Sequence, residues 1–168
     1  RFDSDKLRDV NAYFIKIMDD DALYDLIAVS LAQSGNAPTS SAAKSRIITL
    51  MPLLKERAKT HLDIAGSIGY LLGDGVVDIA PDAAELLTDE AKAILRDLDI
   101  SLATANWDLD GLKEAINGYL VEKGLKMRDI GLPLRAAVTG MKQTPSIVDI
   151  MVALGQSETS YRLQIACK

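Results

Sequence analysis

Apolar residues recur at helical spacing along most of the chain. Leu7, Val10, Phe14 and Ile17 fall on one helical face, and Leu23, Leu26, Ile27 and Leu31 repeat the pattern. Gly35-Asn36-Ala37-Pro38 then breaks it. A long helix is predicted from Ser41 to about Lys59, with Pro52 as a kink or junction. A shorter one from His61 to Leu72 runs into the turn Gly73-Asp74-Gly75. The segment Val76–Pro81 is the expected hinge between two helical halves, residues 1–75 and 76–168. Beyond it, helices are predicted over about Thr88–Ala105 and Leu109–Lys123, the latter capped by Asp108 and stopped by Gly124. A helix over Lys126–Val138 must accommodate Gly131 and Pro133 and is expected to break there. Thr144-Pro145 reads as an N-cap followed by proline at the first helical position. Ile147, Ile150, Met151 and Leu154 form one stripe that Gly155 closes, and a last helix spans about Glu158–Ala166. No segment alternates like a strand. The predicted fold is all-α, in two consecutive bundles.

Composition narrows this little. At 168 residues and 48% hydrophobic, the chain can bury a core and is not disordered. No run of about 18 apolar residues occurs, so no membrane contact is expected. The opening Arg1-Phe2-Asp3-Ser4-Asp5 is neither a signal peptide nor an initiator, and reads as a cut through a longer chain. A single cysteine, Cys167, excludes an intrachain disulfide framework and a cysteine-rich zinc site. The default setting is the reducing cytoplasm.

Charge changes the picture more. The net charge of −5 argues against bulk polyanion binding, but its distribution is uneven. Residues 1–112 hold 11 basic and 19 acidic side chains, whereas residues 113–168 hold 8 and 5. Inside the acidic part, Lys44, Arg46, Lys55, Arg57 and Lys59 are opposed only by Glu56. Two basic stripes on an acidic body can hold a nucleic acid through the local field, or can be solvated helix faces.

Little points to catalysis. His61 has no serine or cysteine partner at a recognisable spacing and reads as a solvated or capping residue. Asp19-Asp20-Asp21 lacks the spacing and glycine of a calcium loop and suits the first turn of a helix. No phosphate-binding glycine loop can be written over any glycine. The chain alone is expected to be no enzyme and to hold no metal or cofactor. Arg135, placed after the expected break, and the helix start at Thr144-Pro145 offer a planar fork and free backbone donors. These suit phosphate or base edges, or equally a conventional helical packing unit with a surface arginine.

The run from Gly131 to Gly140, then Thr144-Pro145-Ser146-Ile147 and Leu154-Gly155, resembles the C-terminal signature of bacterial glutamyl-tRNA synthetases. Phe2-Asp3, Lys6-Leu7 and Asn11 are similar to the segment after that family's catalytic domain. Pro52–Thr60 and Glu122-Lys123-Gly124 fall between in the right order. The resemblance implies an all-helical cage that recognises the anticodon of tRNA(Glu). It implies a monomeric cytoplasmic ligase using ATP and magnesium in a catalytic domain upstream, with no role for DNA. Arg57 matches the family arginine that reads the third anticodon base, a cytosine in glutamate tRNA and a guanine in glutamine tRNA. Arg135, Thr144, Pro145 and Ile147 match positions lining the pocket for the other anticodon bases. Leu132, Met141 and Asn117 depart from the pattern, standing where a glutamine, an arginine and a backbone-contacting arginine are usual. The competing expectations are a helical protein–protein module without nucleic acid, and a non-discriminating enzyme that charges both glutamate and glutamine tRNAs.

Overall fold

The computed structural model describes the backbone from Ser4 to Lys168 and side chains from Asp9 onward. Phe2, Asp3 and the side chains of Lys6 and Leu7 lie outside the described residues. Among those described there are ten α-helices, one 3-10 turn and no strand, so the fold is all-α. The chain divides into two compact units, one ending at Asp74 and the other spanning Gly75–Lys168.

The first unit holds α1 (Ser4–Ile17), α2 (Asp20–Gln33), α3 (Ala43–Arg57), α4 (His61–Ser67) and the 3-10 turn Gly69–Leu71. Leu23, Ile27 and Leu31 of α2 are buried, as are Ile47, Leu50, Met51 and Leu54 of α3. Burying such side chains at about 25 cal/mol per Å² of apolar area supplies the drive that helix propensity alone does not. The aspartate run is explained locally. Asp19 caps α2, its Oδ1 accepting from the N–H groups of Asp21 and Ala22, both at 3.1 Å. Asp20 and Asp21 occupy the first turn, the positive end of the helix dipole. His61 opens α4 behind a capping box in which the Asp63 N–H donates to Thr60 Oγ1 and the Thr60 N–H donates to Asp63 Oδ2.

Of the two roles expected of Pro52, kink or junction, the second is corrected: α3 runs through it unbroken. The one backbone bond it forfeits is outweighed by the core residues Leu50, Met51 and Leu54 on either side. The Val10, Phe14 and Ile17 face of α1 is turned away from the core: these residues are 49%, 54% and 58% exposed. α1 packs against α3, and among its described side chains the buried one is Ile15, on a different side of the helix.

The second unit holds α5 (Pro81–Ala84), α6 (Asp89–Leu102), α7 (Leu109–Lys123), α8 (Met127–Thr139), α9 (Ile147–Leu154) and α10 (Gln156–Ala166). Thr88 and Asp108 cap α6 and α7 with side-chain bonds to the third N–H of each helix. Gly124 ends α7 in the left-handed region at φ +66. Leu95, Leu98, Leu112, Leu134, Ile150 and Met151 are fully buried.

Here too the structure departs from expectation. α8 does not break at Gly131 or Pro133; both are buried inside one continuous helix held by Ile130, Leu134, Ala137 and Val138. α9 begins at Ile147, two residues later than expected, with Ser146 as its N-cap accepting from the Asp149 N–H. The Thr144 hydroxyl is instead engaged with the Pro145 carbonyl, to which it donates at 3.0 Å. Gly140 ends α8 at φ +73, and a Cβ there would lie 2.1 Å from the Asp78 carbonyl oxygen. The Ala80 N–H donates to the Gly140 carbonyl at 2.9 Å, so the segment entering α5 is pinned against the end of α8.

Candidate nucleic-acid interface

The five cations between positions 44 and 59 divide sharply by environment. Arg46 is 5% exposed, its Nη1 donating to the Gly73 carbonyl at 3.2 Å and its Nη2 paired with Asp74 at 2.6 Å. Lys55 is also buried; its ammonium donates to the Met18 carbonyl and pairs with Asp20. These two hold turns of the first unit in place and present nothing to a ligand. Lys44 pairs with Asp21 at 2.7 Å and lies over the Tyr24 ring; the Asp21 hydrogen bond raises its pKa. Lys59 pairs with Asp9 at 3.4 Å. Arg57 alone of the five is exposed with no hydrogen-bond or ion-pair partner among the described residues. It is the last residue of α3, and the chain turns extended at the buried Ala58. A cation there complements the helix dipole and keeps its whole donor fork available.

In the second unit, α8 carries Arg128, Leu132 and Arg135 at steps of four and three, hence on one face. Arg128 is highly exposed and Leu132 is 44% exposed. Arg135 is half-buried, and its Nη1 donates to the Gly131 carbonyl one turn back, at 3.2 Å. That bond lays the guanidinium along the helix surface. Behind it, Thr139 Oγ1 donates to the Arg135 carbonyl at 2.8 Å and accepts from the Met141 N–H at 3.1 Å. Thr144, Pro145 and Ile147 are all buried, Ile147 to 2% exposure. They are part of the packed ground beneath the α8–α9 connection rather than its surface. Met141 is half-buried and Asn117 is exposed on α7.

The sequence did not separate Arg46 and Lys55 from the exposed stripe. What holds them is distant in sequence: Asp74 and the Gly73 carbonyl for Arg46, Asp20 and the Met18 carbonyl for Lys55. Among the described residues no group of three or more His, Cys, Asp or Glu side chains could hold a metal ion. No helix there is long and apolar enough to cross a membrane.

Comparison with known proteins decides the family. Residues 13–167 match the anticodon binding domain. The chain belongs to that family. Glutamate–tRNA ligase 2 of Brucella ovis and glutamate–tRNA ligase 1 of Brucella melitensis are each 34% identical to this anticodon-binding domain over 169 aligned positions. The match takes in 97% of this chain and 36% of each relative, so the domain spans about a third of their length. A glutamate tRNA ligase from Elizabethkingia meningosepticum, solved in complex with its amino acid, superposes with a TM-score of 0.82. Its identity is 23%, over 99% of this chain and 32% of that one. A glutamate-tRNA synthetase from Elizabethkingia anophelis gives 0.77 at 22%. These two establish the shared fold.

Proposed function

We propose that this domain is the anticodon-recognition part of a glutamate–tRNA ligase, and that Arg57 and Arg135 make its base contacts. The observation that carries the reading is the state of Arg57. Four of the five cations in its segment are neutralised or buried within the first unit, and the fifth is left open at a helix end. Arg57 reads the third anticodon base, and a guanidinium fork that fits cytosine meets a different edge on guanine. Arg135 reads another base, while Thr144, Pro145 and Ile147 shape the floor that positions it. The partner is tRNA(Glu), the domain acts as a monomer, and the enzyme works in the cytoplasm. ATP and magnesium chemistry belongs to the remainder of the ligase.

Filter binding of glutamate tRNA across a salt series tests the proposal. Affinity should fall log-linearly with salt. Arg57→Ala and Arg135→Ala should each weaken binding about tenfold, consistent with about 1–3 kcal/mol per base contact. Equal binding of an unrelated tRNA, unaffected by either substitution, would refute it.

A further inference from the structure

The largest fully buried side chain among the described residues carries a charge: Arg162 of α10. Its Nε donates to Glu158 Oε1, one turn back on the same helix, at 2.7 Å. Its Nη1 donates to the Val138 carbonyl, in the last turn of α8, at 3.0 Å. The same Glu158 oxygen accepts from the Gly75 N–H at 2.8 Å. The pair therefore ties α10 to the end of α8 and to the first residue of the second unit. As a stabiliser a buried ion pair is a poor choice, because apolar side chains of similar volume commonly do as well or better. What they cannot supply is direction, a bond aimed at one particular carbonyl.

Direction matters at the end of α8. A partly open cavity of about 170 Å³ lies there, lined by Val77, Ile79, Ala137 and Ile165 among others, with Arg162 in its wall. Packing leaves that side of the helix incompletely filled, so the polar ties carry more of the task of holding it. Arg135 stands three residues before Val138, its guanidinium bonded to the Gly131 carbonyl and its own carbonyl accepting from Thr139 Oγ1. The guanidinium is fastened to its own helix and goes where α8 goes. We propose that Arg162, oriented by Glu158, is a positioning residue for tRNA recognition: it fixes the last turns of α8 and, through them, the place of the Arg135 guanidinium. The proposal rests on the reading that Arg135 contacts an anticodon base. Arg162 itself is 2% exposed and acts only through Arg135. A binding fork must be held within about 0.5 Å of its working position, and a shift or turn of α8 beyond that forfeits the contact.

Double-mutant cycles on the full-length ligase test this, with the affinity for glutamate tRNA measured by filter binding at one salt concentration. Arg162→Lys keeps the charge but loses the planar fork that spans Glu158 and Val138. Glu158→Ala is the second variant, should the first fail to fold. Each is measured alone, with Arg135→Ala and with Arg57→Ala. Alone, Arg162→Lys should weaken binding about tenfold, as much as losing the base contact itself. Beside Arg135→Ala it should cost no more than about a further twofold, because nothing is left to position. Beside Arg57→Ala, which belongs to the first unit and has no part in this network, the two losses should multiply. A merely structural role, which lowers the fraction of folded molecules, acts alike on both backgrounds. Losses that multiply on both, or an Arg162→Lys variant that binds like the parent, overturn the proposal while an effective Arg135→Ala leaves the proposed function standing. An Arg135→Ala variant that binds like the parent removes the base contact and this inference together.

Discussion

Gly140→Ala is the substitution from which the structure predicts most. Two independent costs meet there. The φ of +73 is left-handed, which costs an L side chain about 1 kcal/mol. An added Cβ would also stand 2.1 Å from the Asp78 oxygen and 3.0 Å from its carbonyl carbon. Both are backbone atoms, so the whole 78–80 segment must move, and the Ala80–Gly140 hydrogen bond goes with it. Overpacking of this kind costs about 1–3 kcal/mol and the lost bond about 1. The total, about 3–5 kcal/mol, is a large part of a typical domain's stability. Gly124 supplies the control, because its φ is +66 but nothing lies within 4 Å of an added Cβ. Gly124→Ala should therefore cost only the conformational part, about 1 kcal/mol. The assay is urea unfolding followed by fluorescence of Trp107, the chain's one tryptophan, which lies in the second unit and donates to the Met151 carbonyl at 3.0 Å. With a slope of about 1–3 kcal/mol per molar, Gly140→Ala should lower the midpoint by about 1 M or more below that of Gly124→Ala. Equal midpoints for the two variants would show that the steric argument is wrong.

Lys55→Ala should destabilise the first unit by about 1–3 kcal/mol by leaving the Met18 carbonyl and Asp20 without their cation; Lys16→Ala, on the surface, should change little. Thermal unfolding by circular dichroism separates the two, and equal melting temperatures would contradict the role given to Lys55. A hydrogen bond from Lys123 at 2.8 Å, with a second from the Tyr119 hydroxyl, holds the Asp97 carboxyl below its ordinary value. Stability from that lowered pKa is complete above the unfolded value near 3.8 and is lost as pH falls through the folded one. Asp97→Asn should therefore flatten the fall in stability as the pH drops below about 4 relative to the parent; an unchanged acid limb would count against the pairing. Arg57→Gln in the full-length ligase should narrow the preference for glutamate over glutamine tRNA by about tenfold or more in charging assays. A parent that already charges both equally would place it among non-discriminating enzymes.

The helices themselves were largely legible, because each rests on local chemistry. The α7 boundaries follow from Asp108 at one end and Gly124 at the other, and the α9 stripe from the 3.6-residue period. Misreadings arose where tertiary packing overrides a local signal. Pro52 and Pro133 are helix breakers by rule, yet buried neighbours on both sides carry each helix through. Thr144-Pro145 has the composition of a helix start, but Ser146 takes the capping role once Thr144 turns to the Pro145 carbonyl. At the candidate interface, Arg57 and Arg46 are the same residue type eleven positions apart. What separates them is a partner, Asp74, distant in sequence, which no local pattern announces. Periodicity likewise placed Val10, Phe14 and Ile17 on one face of α1; it reports that a face is apolar, not what covers it.

The end of α3 also fixes which changes of chain length the fold tolerates. Lys55 is bolted to Met18 and Asp20, and Ala58 is sealed by its own burial, so Arg57 is held in phase between two fixed points. One residue inserted or removed between Lys55 and Arg57 would swing the guanidinium by about 100°, roughly a quarter of a turn, away from that phase. The exposed stretch from Ser34 to Ala37 ends before the chain is tied down by the Thr39 and Ser40 N–H groups, which donate to the Leu72 carbonyl, and it carries no candidate contact residue, so it can absorb extra residues. Length variation among related domains should therefore collect in that loop and avoid the end of α3.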